Sequence, residues 1–412
     1  MKAHFVFFFD FQADFENTPM PKAVPDPDDY TDYDELEADD EDYYGDQNDD
    51  DIEIDEHDEV ADEQGDEEIL LGLKRVDTWS GFFQHKEPVY SVCVREDVVV
   101  TGGGDDKAFV WSASSGDVVR ELAAHTDSVV ACGFSADGQF LATGGMDGRV
   151  IVYQSFSGEQ ILLLEGPSEV TWLNWHPRGN ALLCGSADGT LWMWSIPSGQ
   201  CMNVFTGHAS SVSCGQFSPD GKSIVSGGDD GLLFNWDPRN ATVKTQFRPD
   251  DARFLNGAPV TSIAVHADSQ VVLAGGQDGS SCLVHLVTGK PLGSISKAED
   301  SVESVGFSPH LPLAAVSSVD GTIAIWDISL MRLRETQRHA EGVTKTLWLK
   351  STPLMVSSSL DKSVRLWDMR TGTFVRSFYG HTGPILDMAL GTDEGSVVTC
   401  SEDGSAQVFL LK

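Results

Sequence analysis

The sequence predicts an all-β protein, an eight-bladed β-propeller preceded by an acidic N-terminal tail. An Asp followed six residues later by an aromatic or, once, by Val recurs eight times at intervals of 41 to 48 residues. The stretches around these pairs are rich in β-branched and aromatic residues and show no convincing 3.6-residue apolar period, which indicates strands rather than helices. The acidic residues, in contrast, are concentrated before the first repeat.

The eight pairs give the blade count, because a period of about 40–45 residues is typical of propeller blades. They are Asp105/Trp111, Asp147/Tyr153, Asp188/Trp194, Asp230/Trp236, Asp278/Val284, Asp320/Trp326, Asp361/Trp367 and Asp403/Phe409. The fourth unit, SSVSCGQFSPDGKSIVSGGDDGLLFNWD, shows the predicted layout. An inner strand over 212–217 is followed by the turn SPDG, a strand over 224–227, the turn DDG and a strand over 232–236.

Several units also carry a His before the Asp and a hydroxyl residue four positions before it. The sets taken as structural relays are His208, Ser226, Asp230 and Trp236, and His339, Ser357, Asp361 and Trp367; the first unit has the same four kinds of residue, with its His two residues closer to the Asp. With TGH at 206–208 and YGH at 379–381, this pattern resembles the GH…WD signature of WD40 repeats. The resemblance implies a hydrogen-bond relay inside each blade. The third unit departs from it, since it lacks the His and has Cys184 in place of the hydroxyl.

The ring must also close, because the chain ends just after the third strand of the eighth unit. The segment 74–83, KRVDTWSGFF, precedes His85 as an outer strand would. We therefore expect it to complete the last blade and to cover an open sheet edge. The predicted domains are a tail over 1–73 and a propeller over 74–412.

The tail carries most of the charge and is predicted to be disordered. Residues 26–68 contain 25 Asp and Glu and no Lys or Arg, and residues 1–68 account for −26 of the net charge of −38. This charge excludes a nucleic-acid-binding footprint and favours a basic partner; plain solubilisation of the chain remains the alternative. No apolar run is long enough to span a membrane. Whether Met1 or Met20 is the true start stays open.

The composition favours a binding scaffold without a cofactor or a metal. The His, Ser and Asp residues recur at fixed spacing, whereas a catalytic set is normally unique, and neither a nucleophile elbow nor a phosphate-binding loop is present. None of the seven cysteines forms a C-x-x-C pair, which indicates buried reduced thiols. We expect a monomer in the cytoplasm, with the nucleus as a second location.

Longer stretches narrow the resemblance further. VTGGGDDKAFVW (100–111), WHPRGNALLCGSADGTLWMWSIPSG (175–199), LPLAAVSSVDGTIAIWD (311–327) and SVRLWDMRTG (363–372) resemble the angio-associated migratory cell protein family. A fungal member of this family is a dedicated chaperone of a ribosomal protein. The resemblance implies that the protein binds the newly made, basic N-terminus of ribosomal protein uL16. The alternative is a cytoplasmic signalling scaffold linked to cell migration.

In WD40 propellers, partners contact residues that flank the first inner-strand residue or precede the turn Asp. Those positions are occupied by Tyr90, Glu169, Asp229, Glu303 and Glu402, with Asp127, Asp300 and Glu341 close by. We expect this acidic face to bind the basic partner; the competing interpretation is ordinary polar loop residues.

Overall fold

The computed structural model describes residues 76–248 and 254–412. Over these residues the chain forms eight four-stranded antiparallel sheets, which confirms the predicted eight-bladed propeller. A single 3-10 turn, Leu255–Gly257, interrupts the strands, and neither described stretch contains a helix able to span a membrane. The predicted tail, 1–73, lies outside the described residues.

The strands follow one another around the ring in sequence order. A first short strand, β1 (Ser80–Phe82), precedes blade 1. Blade 1 contains β2 (Val89–Arg95), β3 (Val98–Gly103), β4 (Ala108–Ser112) and β5 (Val118–Leu122). Blade 2 contains β6 (Val129–Phe134), β7 (Phe140–Gly145), β8 (Arg149–Gln154) and β9 (Gln160–Glu165). Blade 3 contains β10 (Val170–Trp175), β11 (Ala181–Ser186), β12 (Thr190–Ser195) and β13 (Gln200–Thr206). Blade 4 contains β14 (Cys214–Phe217), β15 (Ile224–Gly227), β16 (Leu233–Asp237) and β17 (Thr242–Phe247).

The second half of the ring repeats the arrangement. Blade 5 contains β18 (Val260–Val265), β19 (Val271–Gly276), β20 (Ser280–His285) and β21 (Lys290–Lys297). Blade 6 contains β22 (Val302–Phe307), β23 (Leu313–Ser318), β24 (Thr322–Asp327) and β25 (Arg332–Arg338). Blade 7 contains β26 (Val343–Trp348), β27 (Leu354–Ser359), β28 (Ser363–Asp368) and β29 (Thr373–Tyr379). Blade 8 contains β30 (Ile385–Leu390), β31 (Ser396–Ser401) and β32 (Ala406–Leu410), and β1 is its fourth strand.

The ring closes through β1, which pairs antiparallel with β32 from Ser80↔Val408 to Phe82↔Ala406. This pairing falls within the segment predicted to close the ring, although the strand is only three residues long. Phe82 is 1% exposed and stacks on Trp111 of blade 1, with ring centroids 5.5 Å apart. The N-terminal segment therefore joins the last blade to the first.

The core consists of eight apolar clusters, each shared by two adjacent blades. The cluster between blades 6 and 7, for example, joins Ile323 and Ile325 to Met355 and Trp367. The 48-residue interval between Asp230 and Asp278 supplies extra buried side chains, because Phe254 and Leu255 pack between blades 4 and 5. Sheet-on-sheet contact of this kind holds every blade to both of its neighbours.

Three local expectations are corrected by the structure. The inner strand of blade 4 begins at Cys214 rather than at 212. The third strand is Leu233–Asp237 rather than 232–236. The seven cysteines, all within the described residues, form no disulfide; three are buried and three partly buried, but Cys201 is exposed, since it lies on the solvent-facing outer strand β13. The prediction of buried thiols is therefore wrong for this residue.

Candidate binding rim

The His, hydroxyl, Asp and Trp side chains form a hydrogen-bonded relay in blades 4 and 7. In blade 7, Trp367 Nε1–H donates to Ser357 Oγ (2.8 Å), which lies 2.7 Å from His339 Nε2. His339 Nδ1 lies 2.9 Å from Asp361 Oδ2. The carboxylate only accepts, so Nδ1 carries the proton and Nε2 accepts from the Ser hydroxyl. Each group in the relay thus donates to the next.

Blade 4 has the same relay from Trp236 through Ser226 and His208 to Asp230. The distances from Trp236 Nε1 to Ser226 Oγ and from Ser226 Oγ to His208 Nε2 are 2.8 and 2.9 Å. His208 Nδ1 lies 3.0 Å from Asp230 Oδ1. In blade 8 Phe409 replaces the Trp, so that relay runs only from Thr399 to His381 and Asp403.

Burial and these hydrogen bonds fix the protonation states. Burial lowers the pKa of the His339 imidazole, which keeps it neutral despite the hydrogen bond to Asp361. Burial would raise the pKa of Asp361, but the hydrogen bonds from His339 and Ser363 and the attraction of His339 hold it well below its usual value. The carboxylate also accepts the backbone N–H of Ala340 (3.1 Å) and Ser363 (3.0 Å). Asp361 therefore ties the loop before the inner strand to the tight turn.

The loop before the inner strand and the tight turn thus lie together on one face of the ring, which we call the rim. In all eight blades the residue before the turn Asp donates its N–H to a carbonyl that precedes the inner strand, over 2.8–3.1 Å. The acceptor is the residue directly before the strand in seven blades and lies three residues before β14 in blade 4. The donors are Gly104, Met146, Ala187, Asp229, Gln277, Val319, Leu360 and Glu402, and the acceptors are Pro88, Ser128, Glu169, Ser211, Pro259, Ser301, Gly342 and Pro384. Because the bond is the same in each blade, these positions lie on one face.

A bulge adds a third kind of rim position. In seven blades the inner strand has one extra residue directly after its first, and in blades 1 and 6 this residue is Tyr90 or Glu303. A bulge turns one side chain out of the regular ladder. Four acids and no Lys or Arg occupy the rim positions: Glu169, Asp229, Glu303 and Glu402.

The five predicted site residues share this face, and Tyr90 and Glu402 are close together. Tyr90 of blade 1 lies near Glu402 of blade 8 and Glu87; burial raises the pKa of the Tyr90 phenol, and the two carboxylates raise it further. A Cβ on Gly104 would lie 3.2 Å from the Tyr90 ring, so glycine at this position lets the ring lie against the turn. An aromatic face flanked by two carboxylates suits a guanidinium group.

A second acidic cluster lies beside it, between blades 1 and 2. Asp106 occupies the left-handed turn position, with φ 63°. Burial raises the pKa of its carboxyl, followed by the negative charges of Asp127, Asp105 and Asp147. Sequence reasoning missed Asp106 and Glu87; a rule that counts every acid within two residues of a rim position would have found them.

The remaining predicted residues are distributed around the rim. Glu169 and Asp229 belong to the adjacent blades 3 and 4, and Glu303 lies in blade 6. Asp229 and Glu402 are exposed, whereas Glu169, Glu303 and Tyr90 are partly buried. A ligand that reaches all five must therefore be extended across the face.

Comparisons with known proteins agree with this architecture. The family model for the N-terminal domain of nucleolar protein 10-like proteins matches residues 162–411, and the model for the WD domain, G-beta repeat, matches residues 116–154. The human angio-associated migratory cell protein is 38% identical over 349 residues, covering 80% of this chain and 79% of its own length. The chain belongs to the angio-associated migratory cell protein family of WD40 propellers.

Relatives within and beyond this family include ribosome assembly proteins. The Saccharomyces cerevisiae ribosome assembly protein SQT1 is 24% identical over 398 residues, covering 87% of this chain and 91% of its own length. The structure of Chaetomium thermophilum Sqt1 bound to the N-terminus of ribosomal protein L10 has a TM-score of 0.76 and 28% identity, covering 82% of this chain and 100% of that one. The eight-bladed architecture is thus shared with a protein that holds a peptide.

Proposed function

We propose that the protein is a ribosome-assembly chaperone whose rim holds the basic N-terminus of the newly made ribosomal protein uL16. The observation that carries the proposal is the shared rim face, whose positions hold four acids and no Lys or Arg, with Tyr90 near the carboxylates of Glu87 and Glu402. The similarity to a Sqt1 structure bound to the L10 N-terminus supports the same client. We place this activity in the cytoplasm, with the nucleus as a second location.

The energetics require several contacts at once. Exposed ion pairs contribute about 0–1 kcal/mol each. A cation stacked on an aromatic face contributes about 0.5–2 kcal/mol. One arginine at Tyr90 is therefore insufficient, and an extended peptide must also reach the acids of blades 3, 4 and 6. Affinity should fall with salt, because the screening length shortens from about 10 Å at 0.1 M to about 3 Å at 1 M.

Titration of the uL16 N-terminal peptide against rim variants tests the proposal. Asp229→Lys with Glu303→Lys should weaken binding at least tenfold, and Tyr90→Ala should weaken it further. The matched control is Asp117→Lys with Glu159→Lys, which makes the same charge change on exposed residues in the β4–β5 and β8–β9 turns, at the opposite end of blades 1 and 2 from the rim. Equal affinities for the rim and control variants would move the peptide off this face.

The similarity to the angio-associated migratory cell protein, at 38% identity, favours a second candidate, a signalling scaffold linked to cell migration. Partners recovered from extract with nascent chains intact discriminate between the two functions. A ribosomal protein supports the chaperone, whereas kinases or small GTPases support the scaffold.

A further inference from the structure

The outer strands of the ring carry charge of opposite sign to the rim, but only along half of the perimeter. The outer strands of blades 4–7, β17, β21, β25 and β29, contain seven basic residues and one acid, Glu335. These basic residues are Lys244, Lys290, Lys297, Arg332, Arg334, Arg338 and Arg376. The outer strands of the other four blades contain only Arg120 against Glu121 and Glu165. We call β17, β21, β25 and β29 the basic flank.

The arginines of β25 are available to a partner. Arg332, Arg334 and Arg338 are all exposed, and none makes an ion pair within 4.0 Å to another described residue. Arg334 Nη2 donates to the backbone carbonyl of Arg370 (2.6 Å), a neutral acceptor. Three guanidinium groups on one edge strand of an acidic protein thus form no close ion pair among the residues that the structure describes, although the charges of Asp327 and Glu335 act on Arg332 and Arg334.

The N-terminal segment begins its described course at the end of this flank. Asp77 N–H donates to the carbonyl of Tyr379 (2.7 Å), and Arg376 Nη2 donates to Asp77 Oδ1 (3.1 Å). Only the eight residues 69–76 therefore connect the acidic segment 26–68, with its 25 acids, to this contact on β29. Eight residues reach at most about 28 Å.

We propose that the acidic segment 26–68 of the same chain docks along the basic flank. The acids of the rim repel the segment, while the flank attracts it. Individual ion pairs on such a surface are weak, but the covalent linkage makes each one intramolecular and supplies a high effective concentration. Docking would keep the tail off the rim, and it does not depend on which partner the rim binds.

Small-angle scattering of the full chain tests the docking, because salt has opposite effects on a docked and a free acidic tail. A free polyanion contracts as salt screens its self-repulsion, whereas a docked tail is released and extends. We expect the maximum dimension of the wild type to rise by on the order of 30 Å between 0.05 and 0.5 M salt, since an unfolded segment of this length is large. Contraction of the wild type over this range would overturn the proposal.

Variants in which basic residues are replaced by the neutral Ser locate the contact on the ring. Arg332→Ser with Arg334→Ser and Arg338→Ser should be extended already at low salt, while Lys86→Ser with Arg149→Ser and Arg178→Ser, an equal charge change off the flank, should match the wild type. Circular dichroism melts establish that each variant is folded. If flank and control variants have the same dimensions, the tail does not dock on β25.

Zero-length carbodiimide cross-linking gives an independent readout on the unmodified full chain. We expect links from carboxylates of 26–68 to Lys244 and Lys290 on the flank, lost at high salt. Links confined to Lys86 and Lys107 would place the tail elsewhere and overturn the proposal. If the wild type is already extended at low salt and its basic flank binds a single-stranded RNA, the surface is assigned to nucleic acid instead.

Discussion

Removing the hydroxyl at the centre of a relay should cost more in blade 7 than in blade 8. In blade 7 Ser357 Oγ accepts from Trp367 and donates to His339, so Ser357→Ala leaves two buried groups without partners. In blade 8 Phe409 has no N–H to donate, and Thr399 Oγ1 bonds to His381 (2.8 Å) with a longer hydrogen bond to the carbonyl of Gln407 (3.4 Å). Thr399→Val deletes that hydroxyl at nearly constant volume and leaves one group without a partner.

The magnitudes follow from burial. Ser357 is fully buried, and Trp367 and His339 are 2% and 7% exposed, so water does not replace the lost partners. An unsatisfied buried polar group costs about 1–3 kcal/mol. We therefore expect a loss of about 2–6 kcal/mol for Ser357→Ala and about half of that for Thr399→Val. Trp367→Ala, which also removes the ring between blades 6 and 7, should cost about 3–5 kcal/mol from the lost packing alone.

Urea unfolding followed by tryptophan fluorescence measures these differences, provided that the slopes of the variants agree with the wild type. Ser329→Ala, on an exposed turn, supplies the background, which should stay within about 0.5 kcal/mol. The reasoning fails if Thr399→Val costs as much as Ser357→Ala, or if neither differs from the background. Either result would mean that the relay adds nothing beyond packing.

Three further expectations concern the closure of the ring by β1, the contacts of Asp387 with its two neighbouring blades, and the stability in acid. Deleting residues 1–70 should change the melting temperature little, whereas deleting 1–84 should lower it sharply, because Phe82 is lost and β32 exposes its edge; equal melting temperatures would exclude closure by β1. Asp387 binds Lys345 Nζ (2.5 Å) of blade 7 and accepts from Val92 N–H (3.0 Å) of blade 1; because the Lys345 side chain is 36% exposed, Asp387→Ala should cost about 1–3 kcal/mol and Asp387→Asn less, measured by urea unfolding. The pKa values of His339 and Asp361 are lowered in the folded state, which therefore binds fewer protons than the unfolded state. Melting temperatures should be constant above about pH 7, fall below about pH 6.5 and fall more steeply below about pH 4. A melting temperature that rises on acidification from pH 6.5 to 5 would contradict this expectation.

The fold could be predicted because its signals are local and repeated. Each tight turn needs a left-handed residue after its Asp, and the eight positions have positive φ, with Gly at six of them and Asp106 and Lys362 at the others. The closing strand could be placed because the last unit lacked a fourth strand. The late start of β14 was not predicted, because the spacing to the turn Asp places the first inner-strand residue at 212, as in most of the other blades.

The site was predicted only as a set of positions. The rim residues follow from their spacing to the turn Asp, but the proximity of Tyr90 to Glu402 depends on ring closure, which joins residues 312 positions apart. The same holds for the contact between Lys345 and Asp387 in neighbouring blades. Pair contacts across blades require the number and order of the blades together with side-chain direction, and a single sequence gives only the first two.

The segregation of charge explains why the average composition understates what the ring can bind. With a period near 42 residues, a given position of the repeat returns to the same surface in every blade, so acids at rim positions and arginines on outer strands accumulate on different faces. Residues 69–412 carry only −12 of the net charge of −38, a value that hides both surfaces. The surface proposed for a basic peptide is thus separate from the surface proposed for the acidic tail. In these two proposals the tail does not compete with the peptide for the same face.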